Sequence, residues 1–276
     1  MTQTYLQLRL DLASALTDFL DPMEAHAEAN RWFEEGLGWG RTWLVAHGGD
    51  LVQEEERRLV GEWLRRRRTG EPWAYILGWA PFRGHRFRVD RATLIPRPET
   101  ELVLEAALDV GKRLGVERAC DIGTGSGILA VCLALETPWI VTATDISPGA
   151  LAMAQRNAQD LGATVTFLQG DLLAPIVGPL GLVVSNPPYV DPADQSTLQR
   201  ELAFEPASAL FAEERGLALA AELLRQARWR AAPGCVLEIG AGQGEELRGR
   251  ALGFGWKRVA VHQDLAGHDR VLIALA

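Results

Sequence analysis

A chain of 276 residues, 47% of them hydrophobic, can bury a full core and is long enough for one large domain or for two. Its net charge of -8 argues against a protein that grips nucleic acid mainly by neutralising phosphates. Cys120, Cys132 and Cys235 stand far apart in apolar runs with neither disulfide nor zinc spacing, the N-terminus carries no basic leader, and no window reaches the about 20 apolar residues of a membrane span, so the expectation is a cytoplasmic protein with no metal site and no membrane contact.

Residues 1–78 read as helices only. Tyr5, Leu6, Leu8, Leu10, Leu12, Ala15, Leu16 and Phe19 recur at helical spacing until Asp21-Pro22 breaks the run. A second helix is expected from Met23 to Leu37, carrying Trp32 and Phe33 and stopped by Gly36, Gly38 and Gly40; others follow over Arg41–His47 and Val52–Arg68. In the last of these Glu54, Glu55 and Glu56 open the helix and Arg65, Arg66, Arg67 and Arg68 close it, which complements the dipole at both ends. The four arginines read as a solvated helix end, with a basic edge for an acidic partner or RNA as the alternative. Six of the nine tryptophans (Trp32, Trp39, Trp43, Trp63, Trp73 and Trp79) fall in or just after this segment, as packing for a small core.

Pro81–Arg83 and Arg86–Val89 flank Gly84-His85 and predict a β-hairpin over a 79–95 linker, with His85 at its turn. Pro98, Glu99 and Glu101 suit the start of a helix running to Leu114. From 96 to 276 strands and helices alternate, the strands near Arg118–Ile122, Ile140–Thr144, Thr164–Leu168, Leu182–Ser185, Val236–Ile239, Arg258–Val261 and Arg270–Ala274. That alternation predicts an α/β, doubly wound, seven-stranded sheet behind a small helical N-terminal domain.

The chemistry-bearing residues fall at the carboxyl ends of successive strands, where open α/β sheets bind ligands. Asp121-Ile122-Gly123-Thr124-Gly125 follows a strand and opens a helix; its glycines allow close backbone approach, and Asp121 suits a ligand with a cationic amino group better than one with a pyrophosphate. Asp145 ends the next strand, placed to accept both hydroxyls of a ribose. Asp171 follows the third, placed to accept an adenine amino group, with Leu172 against the base. Either acid alone could simply cap a helix; the series points to S-adenosylmethionine, with S-adenosylhomocysteine as product.

The fourth tip is Asn186-Pro187-Pro188-Tyr189. The prolines fix φ and remove donors, so an Asn side chain and the Pro187 carbonyl can offer two acceptors to the two donors of a planar –NH2 group. By itself the stretch could equally be a strand and a rigid turn.

Taken together these motifs resemble the class I S-adenosylmethionine-dependent methyltransferases, and more closely the release-factor glutamine methyltransferases of the HemK/PrmC family. The likeness extends over Gly70-Glu71-Pro72, Ile95-Pro96-Arg97-Pro98-Glu99-Thr100-Glu101, the glycine loop, Asn186 to Val190, Phe204-Glu205-Pro206, and Glu238-Ile239-Gly240 before Gln243-Gly244. Only the first forty residues and Asp264 to Arg270 depart from the family pattern or match it loosely.

The resemblance implies a Rossmann-like methyltransferase domain over 96–276 and a substrate-recognising helical domain over 1–78. It implies methyl transfer to the side-chain amide of the glutamine in the Gly-Gly-Gln loop of class 1 peptide release factors, with no direct nucleic-acid partner. Asp121, Ile122, Gly123, Thr124, Gly125, Asp145, Asp171, Leu172 and Asn186 would hold the cofactor. Asn186, Pro187, Pro188 and Tyr189 would form the glutamine pocket, with Asn186, Pro187 and Tyr189 serving catalysis. Two rival enzymes share the tetrapeptide or the fold, a glutamine methyltransferase for a ribosomal protein and a nucleic-acid amino (adenine-N6) methyltransferase; a catalytically idle cofactor-binding module is the third alternative. Phe204-Glu205-Pro206 favours the release-factor branch, and the acidic charge disfavours nucleic acid.

Overall fold

The computed structural model describes residues 3–276; Met1 and Thr2, the start of the expected leaderless N-terminus, lie outside the described residues. The chain separates into two compact units, Met1–Leu77 and Gly78–Ala276. No helix among the described residues is long and apolar enough to cross a membrane.

The first unit contains α1 (Tyr5–Leu16), α2 (Pro22–Arg31), α3 (Arg41–His47), α4 (Glu54–Arg68) and α5 (Trp73–Leu77). Thr4 caps α1 in a reciprocal box with Gln7, and Asp21 accepts from the backbone N–H groups of Met23 and Glu24 with Pro22 in the first turn of α2. Asp21-Pro22 therefore starts α2, whereas α1 has already ended at Leu16 with Thr17 as its C-cap, short of the expected Phe19. The expected helix to Leu37 is regular only to Arg31, continuing as a wider π-type turn over Trp32–Gly36. Trp32 is fully buried and stacks on Trp73 with ring centroids 4.6 Å apart, while Trp63 meets both edge-on. Aromatic volume of this kind lets a small bundle close a core.

The four arginines at the end of α4 form a solvated helix end only in part: Arg65 and Arg68 are exposed, and the other two are drawn inward. Arg67 is buried and grips Glu28 of α2 through its Nε and Nη2 at 2.6 and 3.2 Å. Arg66 forks onto Glu71 at 2.8 Å on both arms, Arg65 pairs with Glu62, and Arg68 pairs with Asp18. Each is matched within its own unit, so no free basic edge is left; Arg65 and Arg68 are exposed, as a solvated helix end requires, whereas Arg66 is half-buried and Arg67 is buried. A buried pair broken on one side leaves a charge without compensation. Glu28→Ala should lower the stability of this unit by about 3–5 kcal/mol, and Glu28→Leu/Arg67→Met should restore most of it. Denaturant unfolding followed by tryptophan fluorescence reads the effect, because five of the nine tryptophans lie in this unit.

The second unit opens with the hairpin β1 (Trp79–Phe82) and β2 (His85–Arg88), its turn at Arg83-Gly84, so His85 begins a strand instead of forming the turn. The hairpin is built into this unit: Asn157 accepts from the Arg88 N–H and donates to the Arg88 carbonyl. There follow α6 (Thr100–Leu114), β3 (Arg118–Ile122), α7 (Ile128–Glu136), β4 (Ile140–Asp145), α8 (Pro148–Leu161), β5 (Val165–Gln169) and β6 (Leu182–Ser185). After two 3-10 turns come α9 (Ala207–Leu210), α10 (Glu213–Gly216), α11 (Ala218–Trp229), β7 (Gly234–Glu238), α12 (Gly244–Gly253), β8 (Arg258–Gln263) and β9 (Asp269–Leu275).

The seven strands order β5-β4-β3-β6-β7-β9-β8, with β9 alone running against the rest. Alternate residues serve the two faces: Ala119, Leu182 and Val184 join the layer under α6, α7 and α8, whereas Cys120, Ile122 and Val183 join the layer under α11 and α12. All three cysteines are buried and free. The chain builds β3, β4 and β5 outward in one direction, then returns to the other side of β3 to lay down β6. That reversal opens a crevice at the carboxyl ends of β3 and β6.

Candidate active site

A cleft of about 380 Å³ lies at this reversal, within the usual size range of small-molecule sites. Its wall includes Asp121 to Gly125, Asp145, Asp171, Leu172 and Asn186 to Pro188, so eleven of the twelve residues singled out in the sequence meet on one surface. Tyr189 is the exception. It does not line the cleft, and its hydroxyl is already engaged by Glu238.

The loop after β3 turns through left-handed backbone at Gly123, Gly125 and Gly127, with φ of 69°, 55° and 86°, conformations that side chains resist. Asp121 is 1% exposed. Its Oδ2 accepts from the Thr124 hydroxyl at 2.6 Å and the Ala130 N–H at 3.1 Å. Its Oδ1 is buried without a hydrogen-bond partner among the described residues. Burial pushes the Asp121 carboxyl up to about 7, the two donors pulling against it. A buried, half-satisfied carboxylate on the wall of a cleft fits a ligand that brings its own cation.

Asp145, the last residue of β4, accepts from the Gly125 N–H through Oδ2 and from the Ser147 N–H through Oδ1, both at 2.9 Å. It is thus locked between the glycine loop and the start of α8, while Ser147 is the residue that caps that helix. Asp171 opens a turn and not a helix, closed by the Ala174 N–H on its carbonyl. Leu172 there adopts φ 45°, unusual for a branched residue, and its carbonyl accepts from the Thr144 hydroxyl. Backbone held in this region at a cleft wall is characteristic of a ligand-contacting residue.

At the tip of β6 the Ser185 hydroxyl donates to the Ile122 carbonyl at 2.5 Å, tying this strand to β3 just before Asn186. The Pro187 carbonyl accepts no hydrogen bond among the described residues. The Asn186 Nδ2 donates to the Thr100 hydroxyl at 3.1 Å; Thr100 donates to Glu238 Oε2 at 2.7 Å; and Tyr189 donates to Glu238 Oε1 at 3.1 Å. Burial drives the Glu238 carboxyl above its ordinary range while the Thr100 and Tyr189 hydroxyls draw it back. Burial and the neighbouring Glu238 raise the Tyr189 phenol. Beyond Tyr189 the chain is fixed by Gln243, which donates to the Tyr189 carbonyl and accepts from the Gly240 N–H. Gly216 has no alternative there, since a Cβ would lie 2.0 Å from the Tyr189 carbonyl oxygen.

Phe204-Glu205-Pro206 supports a further part of the lining, which includes Ile95, Arg97 and Pro206. Glu205, 6% exposed, accepts from the Ile95 N–H at 3.0 Å and from Arg97 at 2.5 Å, and Pro206 faces the cleft. Sequence reasoning gave no role to Thr100, Glu205 or Glu238. Glu238 ends β7 as Asp145 ends β4, and an acid at a strand tip was the available signal.

Two family models match the chain, the methyltransferase small domain over residues 100–216 and the PrmC N-terminal domain over residues 11–78. Among curated relatives, the release factor glutamine methyltransferase of Bordetella pertussis is 42% identical over 93% of this chain and 97% of its own. That of Salmonella typhimurium is 37% identical over 94% and 95%, and that of Escherichia coli 35% identical over 95% and 96%. Among solved structures, the hMettl16 catalytic domain in complex with an RNA hairpin of the MAT2A 3'UTR aligns with a TM-score of 0.59 at 13% identity, covering 82% of this chain and 84% of that one. The N-terminal domain of human METTL16 with SAH aligns with a TM-score of 0.53 at 14% identity, covering 82% and 85%. At such identities the structural likeness concerns the fold alone.

Proposed function

Since this chain belongs to the release factor glutamine methyltransferase family, we propose that its cleft transfers a methyl group from S-adenosylmethionine to the side-chain amide nitrogen of the Gly-Gly-Gln glutamine of class 1 peptide release factors. The observation that carries this reading is the convergence of Asn186 and Pro187 with the half-satisfied Asp121 on one wall. Asp121 would take the ligand's cationic amino group, Asp145 its ribose hydroxyls, and Asp171 with Leu172 its adenine. The cofactor, when bound, supplies a methyl group made electrophilic by a sulfonium.

The chain's own contribution is orientation. An amide nitrogen is a weak nucleophile because its lone pair is delocalised into the carbonyl. If its two N–H groups are held by the Asn186 side-chain oxygen and the Pro187 carbonyl, density returns to nitrogen and its lone pair is aimed into the cofactor side of the cleft. Those oxygens accept hydrogen bonds from the amide while the C–N bond forms and the methyl–sulfur bond breaks; the surplus N–H proton, acidified by methylation, then leaves to water, and no strong base is required. Pro188 would bound the flat amide, and Tyr189 would keep the turn in place.

The helical unit would recognise the release factor, and the protein would work in the cytoplasm without contacting nucleic acid directly. An acidic chain with its α4 arginines paired internally supports that reading. The test is incubation with methyl-labelled cofactor and, separately, release factor, ribosomal protein or DNA. Label should appear on release factor and vanish when its Gly-Gly-Gln glutamine is replaced. Label on ribosomal protein or DNA alone would overturn the substrate.

A further inference from the structure

Thr100 and Glu238 do not line the cleft, yet both are essentially inaccessible to solvent, at 0% and 1% exposure, and both are polar. Polar groups so placed are retained against a desolvation cost, and their geometry shows what they hold. Resting on the amide-methylation reading above, we propose that Thr100 and Glu238 are positioning residues that fix which end of the Asn186 amide faces the substrate.

A side-chain amide presents an acceptor at one end and a donor at the other, in nearly the same shape. Only the acceptor end can hold an N–H of a glutamine amide; a reversed Asn186 would confront the substrate's –NH2 with its own –NH2. The choice is made outside the cleft. A carboxylate only accepts, and Glu238 takes the hydroxyl protons of both Thr100 and Tyr189, at 2.7 and 3.1 Å. Thr100 has a single proton and has spent it on Glu238. What it offers Asn186 is a lone pair, and that can be met only by Nδ2, which lies 3.1 Å away. Oδ1 is therefore left to the substrate. Removing the proton from this chain of choices at any link lets the amide turn over.

The placement follows from the fold. Thr100 is the first residue of α6 and Glu238 the last of β7, so the lock draws on two elements far apart in sequence. It also links two segments to which the sequence assigned no part in the site, Pro98-Glu99-Thr100-Glu101 and Glu238-Ile239-Gly240. The second Glu238 oxygen holds Tyr189, so a single carboxylate sets both ends of the Asn186–Tyr189 turn.

The test uses the full chain with a release factor and methyl-labelled cofactor. T100V, which keeps the shape and loses the lone pair, should lower kcat by about tenfold or more with cofactor affinity and the KM for release factor within about twofold; T100S should retain kcat within about threefold. In an N186A background, where there is no amide to orient, adding T100V should change the residual single-turnover rate by less than about twofold. Wild-type kcat in T100V, failure of T100S to rescue, or an equal fractional loss in the N186A background would each overturn the proposal. If T100V does not fold by thermal melting, T100A carries the same comparison. A second readout needs no turnover. The Asn186 side-chain NH2 resonances, identified by their loss in N186A, should shift in T100V and stay in place in T100S; unchanged resonances in T100V would overturn the lock. A wild-type chain that labels no release factor would instead count against the reaction, and the resonance comparison would still decide the orientation.

Discussion

Asn186→Ala is expected to reduce methylation of release factor by about 10²–10³-fold while weakening cofactor binding far less, because Asn186 is one of nine residues that would hold the cofactor. Removing one preorganised polar group aimed at the reacting atoms typically has this effect on kcat. Here the group acts on a nucleophile whose resonance must be broken, so orientation and density are lost together. The cost to folding is smaller. Asn186 is half-buried, and among the described residues its side chain hydrogen-bonds to Thr100, so its loss should lower stability by about 1 kcal/mol. Asn186→Asp supplies two acceptors and no donor. It should also be impaired, because Thr100 then faces a carboxylate with no proton to give it. Steady-state kinetics with calorimetry of S-adenosylhomocysteine binding separate these effects. Near wild-type turnover in Asn186→Ala would remove Asn186 from the substrate pocket.

Much of the sheet could be read directly because its signals are local. Buried parallel strands are short apolar runs, and every expected strand lies within two residues of the observed one. The strand-tip residues were legible for the same reason, since each motif follows a strand and topology places strand ends together. The misses concern partners distant in sequence. Arg65 to Arg68 form a local charge run whose resolution depends on Glu28, Asp18, Glu62 and Glu71, three of them contributed from outside α4. Asp171 looked like a cap, but the chain after it turns without forming a helix. Tyr189 follows the prolines in sequence, yet the turn carries its hydroxyl to Glu238 and away from the cleft wall. Phe204-Glu205-Pro206 was informative about the branch without revealing that Glu205 braces Ile95 and Arg97 across 110 and 108 positions. Single-sequence periodicity contains no term for such pairs; they become visible only when the strands are assembled.

Asp121→Asn should separate stability from binding in opposite directions. Asp121 is fully enclosed, one of its oxygens has no partner among the described residues, and burial raises its carboxyl from 3.8 to about 7. Its folded-state value is raised, so the proton is held more tightly in the native protein than in the unfolded chain. The associated stability is complete below about 3.8 and is lost as pH rises through about 7; the full difference is about 4 kcal/mol. Asp121→Asn removes the ionising group, so the cofactor-free variant should melt above the wild type at pH 8, by a margin that shrinks towards pH 5. Binding should move the other way. A cationic amino group meeting the ionised Asp121 forms a buried charged pair, and truncating one side of such a pair costs about 2–5 kcal/mol, or about 30- to several thousand-fold in affinity. In the wild type, binding S-adenosylhomocysteine between pH 5.5 and 7 must release the Asp121 proton, so affinity should rise with pH and level off above about 7. Calorimetry in buffers of different ionisation enthalpy detects that proton, and Asp121→Asn should abolish both the release and the slope. A variant that binds as tightly as the wild type would show that the ligand's cation lies elsewhere, and the buried Asp121 oxygen would then require a different partner.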